Sequence, residues 1–412
     1  MTELFRAAPE EVAGAGNAVR TIAQDVTGIA AFTLQHCPVR PEGFGGAILD
    51  PLKGPFQDTA ALFRDRFQSI GMHTANTADE LNRAAWMYVN REQQNYEALN
   101  RATTNIFDGT PVAADPDREN LGIVAAFSGA ANYSLPHSIA LDPPGAAPPE
   151  LADLIAETTG AVGDVNEAVK SVTRMAGREI NILETVLSPI SANWNELRRI
   201  GECYKLAGNS LEQCGDNLDS AVRQVGPRWD GRAAVAFEEF ARGQSTALRW
   251  EGPVGRVISD CLTEIADAIR DGVRSACEKL RDFIASFIDF RNAKQVFKQL
   301  VKKIPGIGTA LEILDLARKI WEVVDLVTDI VRRIEEMRDR VRELLEFVSN
   351  PVGKGKEWVE RKLEPITSRM DDATAAAALI DDAQKIAQTE DTVNRPTTAF
   401  EVGSGRQPWE NA

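Results

Sequence analysis

The chain has 412 residues, with 46 Lys+Arg against 61 Asp+Glu, giving a formal charge of −15. Phosphate backbones and anionic membrane surfaces need a concentrated cationic face, so an acidic chain with 7% aromatic residues argues against nucleic acid or lipid headgroups as partners. With 43% hydrophobic residues it has enough apolar material to bury cores, and its length suggests two or three units.

Residues 8–36 carry small or apolar side chains at Val12, Ala15, Val19, Ile22, Val26 and Ile29, and these steps of three and four predict an amphipathic helix. Between Cys37 and Pro55 the density of Pro38, Pro41, Gly43, Gly45, Gly46, Pro51, Gly54 and Pro55 predicts a loop. A second helix is expected from Phe56 or Asp58, with a seam through Phe56, Ala60, Phe63, Phe67, Ile70, Thr74, Thr77, Leu81, Ala84 and Tyr88. Two long helices around one loop make an αα-hairpin.

From Gly109 to Pro149 helical periodicity vanishes among many prolines, which predicts an extended linker long enough for the flanking hairpins to pair. Helical signal returns at Glu150, with Val162, Val165, Val169 and Val172 on one stripe, and Ser188-Pro189 interrupts it. A second hairpin follows. Its first arm carries Leu197, Ile200, Tyr204, Ala207, Leu211, Cys214, Leu218, Ala221 and Val225 at coiled-coil spacing and ends at Gly226-Pro227. The return arm starts just after Trp229-Asp230-Gly231; Gly252-Pro253 is a candidate break or kink in it, although helical patterning resumes through Val257, Leu262, Ile265, Ile269 and Val273. Beyond Lys294, an unbroken stripe at Ile313, Leu316, Ile320, Val323, Val327, Ile330, Ile334, Met337, Val341, Leu344 and Val348 predicts one long helix over 310–348. The last stretch, from about Thr389, lacks apolar period and is expected to stay flexible, with Trp409 its only large anchor.

Enzymatic signals are weak. Three histidines (His36, His73, His137) are too dispersed for HExxH, and no GxSxG elbow, Walker loop or strand-bound GxGxxG occurs, so neither catalytic nor metal-ligating residues nor a cofactor are expected. Gly306-Ile307-Gly308-Thr309 reads as a hinge opening the long helix. Five cysteines (Cys37, Cys203, Cys214, Cys261, Cys277) form no CxxC pair; free, half-buried thiols are the default reading, although reflecting the second hairpin about its turn makes a Cys203–Cys261 bridge geometrically conceivable. No stretch is apolar enough to span a bilayer, and the opening Met1-Thr-Glu-Leu-Phe-Arg does not read as a Sec-type signal.

The informative constellation is Pro227-Arg228-Trp229-Asp230-Gly231-Arg232-Ala233-Ala234-Val235-Ala236-Phe237. A tight helix-to-helix reversal favours a residue without a β-carbon, which Gly231 supplies, while Trp229 can close the end of a bundle. Trp-x-Gly between antiparallel helices, followed by small residues and an aromatic, resembles the WxG-type, Esx-like substrates of type VII (ESX) secretion in actinobacteria and related Gram-positive bacteria. The likeness covers roughly residues 190–290, and Trp194-Asn195-Glu196-Leu197 resembles the start of such domains. Phe44-Gly45-Gly46 stands in the first turn as a relaxed aromatic-x-Gly, and Tyr88-Val-Asn-Arg-Glu92 looks like the Tyr-x-x-x-Asp/Glu export motif. An i, i+4 spacing puts the Tyr88 phenol and the Glu92 carboxylate on one helix face. Over about residues 1–105 the chain is similar to EspC-like secretion-associated proteins. It departs from the pattern in having Phe44 where Trp is usual and no Tyr at the expected distance in the second hairpin.

The resemblance implies a composite export signal, with a tyrosine motif on one hairpin beside the Trp-x-Gly turn of an antiparallel partner. This chain carries one half in each hairpin, Tyr88 and Glu92 in the first and Trp229 and Gly231 in the second, with Phe44 and Gly46 as a secondary turn motif. The expectation is an intramolecular pseudo-heterodimer. The expected architecture is all-α: antiparallel hairpins forming a four-helix-bundle-like body, with a long C-terminal amphipathic helix folded back upon it. The units are an EspC-like hairpin (1–108), a Pro-rich linker (109–149), a WxG-type hairpin with a leading helix (150–292), the long helical region (293–350), and a C-terminal helix with a flexible tail (351–412). The function implied is that of a non-enzymatic helical interaction protein, secreted or associated with the cell envelope. Its partners would be the type VII machinery or its chaperone, and an Esx/EspC-like helical protein or a second copy, with no nucleic acid and no small-molecule substrate. The alternatives are a membrane-active effector using the long helix, or a carrier or chaperone for a partner toxin.

Overall fold

The computed structural model describes residues 7–41, 44, 48–107, 126–145, 193–288, 308–349 and 356–387. Among them the regular structure is helical: α1 (Pro9–His36), α2 (Lys53–Phe107), α3 (Asn195–Val225), α4 (Arg232–Ile288), α5 (Gly308–Ser349), α6 (Lys356–Thr367) and α7 (Ala373–Ala387). The only strand-like pairing among the described residues is an isolated antiparallel bridge between Ala7 and Trp229.

Local chemistry sets the ends of these helices. Pro9 opens α1 with Glu10 and Glu11 in its first turn, where a missing N–H is harmless and carboxylates face the positive end of the helix dipole. The whole predicted stripe of α1, Val12 to Ile29, is buried. Helix α2 begins at Lys53, earlier than the Phe56 or Asp58 expected, because the 3-10 turn Asp50–Leu52 leads directly into it. Gly54 and Pro55 then fall within the first turn, whose N–H groups have no intrahelical partner to lose.

In the second hairpin every predicted seam residue of α3, from Leu197 to Val225, is buried. Helix α4 runs continuously through Pro253, so the candidate break there does not occur and the resumed helical pattern belongs to the same helix. Its support is close contact with α3: a Cβ added at Gly255 would lie 2.3 Å from the Tyr204 carbonyl oxygen, and one at Gly208 would lie 2.4 Å from that of Glu251. Two backbones this close hold the helix together across a residue that lacks its own hydrogen bond.

The two hairpins pack into one four-helix body. Helix α1 lies directly on α3. Helices α2 and α4 meet through long side chains, chiefly the buried Arg66 Nη2–Glu251 Oε2 ion pair and the Gln244 Nε2–Thr74 Oγ1 hydrogen bond of 3.0 Å. The first hairpin's loop sits at the end where α3 begins. There the Asn193 N–H donates to the Phe44 carbonyl (2.7 Å), and Arg199 donates to the carbonyl of Pro38 (2.9 Å). The second hairpin's turn lies at the opposite end.

Helix α5 folds back on α4, burying Val327, Ile330, Ile334, Val341, Leu344 and Val348 of the predicted stripe. One C-terminal helix was the expectation after residue 350; the described residues hold two, because Asp372 accepts from the Thr374 N–H (2.8 Å) and starts α7 afresh. Arg256 of α4 ties α7 to α3, contacting Asp382 at 2.7 Å and Glu212 at 2.6 Å. The expected leading helix with Val162 to Val172, Gly46, and the C-terminal tail with Trp409 lie outside the described residues.

Candidate functional site

At the bundle end opposite the first loop, α3 runs out into a 3-10 turn, Gly226–Arg228, and Trp229 is fully extended, with φ −141° and ψ 120°. Gly231 follows at φ +99°, a conformation that a β-carbon disfavours, and α4 starts at the next residue. The extended backbone at Trp229 turns its indole inward, where only 4% of the residue remains exposed. It packs against Phe237 one and a half turns into α4, with ring centroids 5.7 Å apart.

The other wall of this pocket is α2. The Trp229 Nε1–H donates to the Tyr88 hydroxyl at 3.0 Å, and the two rings meet edge to face with centroids 6.4 Å apart. Tyr88 is half-buried, and burial pushes its phenol above the ordinary value while the indole hydrogen bond opposes the shift. Glu92, one turn further along α2, is exposed. So are the apolar side chains of Met87 (62%) beside Tyr88 and Val235 (55%) at the start of α4. The junction therefore has a buried aromatic interior, with the exposed Glu92 carboxylate one turn beyond it on α2.

Contacts that sequence reasoning did not single out fix this turn to the start of the first hairpin. The Ala8 N–H donates to the Arg228 carbonyl (3.1 Å) beside the Ala7–Trp229 bridge. Arg228 pairs with Glu11 at 3.7 Å, and Glu11 also accepts from the Tyr133 hydroxyl at 3.1 Å. Burial, together with the Glu11 carboxylate beside it, pushes the Tyr133 phenol well above its ordinary range. The first turn of α1 was thus visible in sequence as a helix start but not as a clamp on a turn more than two hundred residues away.

The secondary turn motif lies elsewhere. Phe44 is fully buried against Phe56, with centroids 6.1 Å apart, at the far end of the body from Trp229. Cys203 and Cys261 are not bridged, none of the five cysteines is in a disulfide, and all five are buried rather than half-buried. The Cys203 sulfur instead accepts from Arg199 Nη1 at 3.5 Å, which turns it toward the end of α1; burial pushes its thiol up to about 11. Among the described residues no cluster of three or more His, Cys, Asp or Glu is gathered to hold a metal ion, and no helix is long and apolar enough to cross a membrane.

No family model, no curated protein and no solved structure matches this chain.

Proposed function

We propose that this chain is a non-enzymatic helical interaction protein exported by a type VII secretion system, and that the surface built on Tyr88, Glu92, Trp229 and Gly231 is what the machinery or its chaperone reads. The observation that supports this reading is the Trp229–Tyr88 hydrogen bond of 3.0 Å. Two motif halves from separate hairpins meet in one chain, as a composite label carried by a self-paired bundle requires. Such a label depends on the fold, because its parts come from α2 and from the α3–α4 turn. Glu92 supplies an exposed charge for a receptor to engage.

A membrane-active role for α5 is less well supported, since six described residues of the stripe it would insert, from Val327 to Val348, are buried. The test is the partition of the protein between culture supernatant and lysate in a host with a type VII system. Glu92→Gln, Tyr88→Ala and Trp229→Ala are each expected to lower the secreted fraction. Glu92→Gln is the decisive variant, because an exposed substitution leaves folding intact. Unchanged export of all three overturns the proposal.

A further inference from the structure

Residues 126–145 form neither helix nor strand; after a turn at Ser128-Gly129 the chain is laid on the bundle with alternating faces from Ala131 to Asp142, bent once at Pro136. Ala131, Tyr133, Leu135, His137, Ile139 and Leu141 are half-buried, while the residues between them are exposed. This is the period of a β-strand, lying on helices instead of in a sheet.

The surface beneath is built to hold a main chain. Asn217 of α3, itself 0% exposed, accepts from the His137 N–H and donates to the His137 carbonyl, both at 2.9 Å, as a neighbouring strand would. Asn82 of α2 accepts from the Phe127 N–H (3.1 Å), and Gln224 of α3 donates to the Ser134 carbonyl (3.1 Å). The Glu10 carbonyl of α1 accepts from the Ala131 N–H (2.8 Å). Gly14 of α1 makes room for this approach, since a Cβ there would lie 2.6 Å from the Ala131 oxygen. Three amide side chains, one backbone carbonyl and one missing β-carbon, drawn from both hairpins, converge on a single extended segment.

We infer that this face is a binding groove for an extended polypeptide with apolar residues at alternate positions, and that residues 126–145 are its tethered but separable ligand. The segment clamps the hairpins together, and Tyr133 acts as a positioning residue: its bond to Glu11 links the clamp through Arg228 to the turn that carries Trp229. The inference rests on the export reading only for the consequence at Trp229; the groove stands without it.

The test uses the full chain with 126–145 replaced by a Gly-Ser segment of equal length, to which a fluorescent synthetic peptide of residues 126–145 is added. Saturable binding by anisotropy is expected, together with recovery of the melting temperature toward that of the natural chain. Asn217→Leu in the same background removes both His137 bonds and is expected to weaken binding about tenfold or more. A folded replacement chain that fails to bind the peptide overturns the inference. Should the replacement chain not fold, hydrogen exchange on the otherwise natural chain carrying Asn217→Leu decides. Loss of protection at the 131–137 amides with the helices still protected supports the latch, and unchanged protection there overturns it. Because both measurements use purified protein, a failure of secretion variants to change export leaves this result intact.

Discussion

The indole of Trp229 and the phenol of Tyr88, 141 positions apart in sequence, share one hydrogen bond and one edge-to-face ring contact. These two interactions are separable. Tyr88→Phe removes the hydrogen bond and keeps the ring, leaving a buried N–H without its acceptor, and is expected to cost about 1 kcal/mol or slightly more. Trp229→Ala empties the pocket lined by Tyr88 and Phe237 and is expected to cost about 3–5 kcal/mol. Urea unfolding midpoints of the purified variants check this order; equal losses would mean that the ring packing contributes little.

Gly231 provides a sharper local test. Its φ of +99° places any L side chain in strain, so Gly231→Ala is expected to lose about 1–2 kcal/mol by the same unfolding measurement. The strain also moves the neighbouring Trp229 backbone, and the Ala7–Trp229 bridge should open. Faster hydrogen exchange at the Ala8 amide, whose acceptor is the Arg228 carbonyl, reports that opening.

Much of this arrangement follows from periodicity alone. The seams of α1 and α3 are buried residue for residue as the three-four spacing predicts, because a helix with one apolar stripe has only one face to bury. Helical patterning past Pro253 is legible in α4, but what carries the helix across the proline is not, because the compensating contact is Gly255 against Tyr204 of another helix, a tertiary relation with no local signature. The extended segment left a trace that helical reading overlooks: Tyr133, Leu135, Ile139 and Leu141 alternate with polar or small residues at period two. Of the junction, the two motif halves stood out by residue type and spacing. The clamp of Ala8, Glu11 and Arg228 did not, since a carboxylate in the first turn of a helix reads as a dipole partner until its neighbour is known.

Acid sensitivity should concentrate where α1 ends on α3. Burial alone would raise the Glu196 carboxyl, but hydrogen bonds and charge from Arg199 and Arg40 hold it below the ordinary carboxylate value. A carboxyl depressed in the folded state contributes stability that is whole above its unfolded pKa, about 4.3, and is lost as pH falls through the folded value. Glu196→Gln is therefore expected to be less stable than the natural chain at pH 7, with the gap narrowing below about pH 4.3. Unfolding free energies measured from pH 7 to pH 3 check the trend; a constant gap would show that the effect is packing rather than charge.

The Arg66–Glu251 pair gives the strongest prediction about how the hairpins recognise each other. Both side chains are 1% exposed, and the guanidinium carbon lies 4.3 Å from the Phe63 ring centroid and 5.0 Å from that of Trp250. The aromatic faces stand in for the hydrogen-bond partners that Arg66 Nε and Nη1 lack. Arg66→Met strands a buried carboxylate and is expected to cost about 3–5 kcal/mol near neutral pH. Burial already pushes the Glu251 carboxyl up, with Arg66 opposing, so removing Arg66 lets it rise further. A carboxyl raised in the folded state contributes stability below its unfolded pKa and loses it as pH increases through the folded value, so Arg66→Met should regain stability on acidification from pH 8 to pH 5. The double variant Arg66→Met with Glu251→Leu removes the stranded charge and should recover most of the loss, because a well-packed apolar pair replaces a buried ion pair at little cost. Chemical unfolding of the three proteins at both pH values decides the matter: a double variant no more stable than the single one would show that α2 and α4 need the charge itself to find their register.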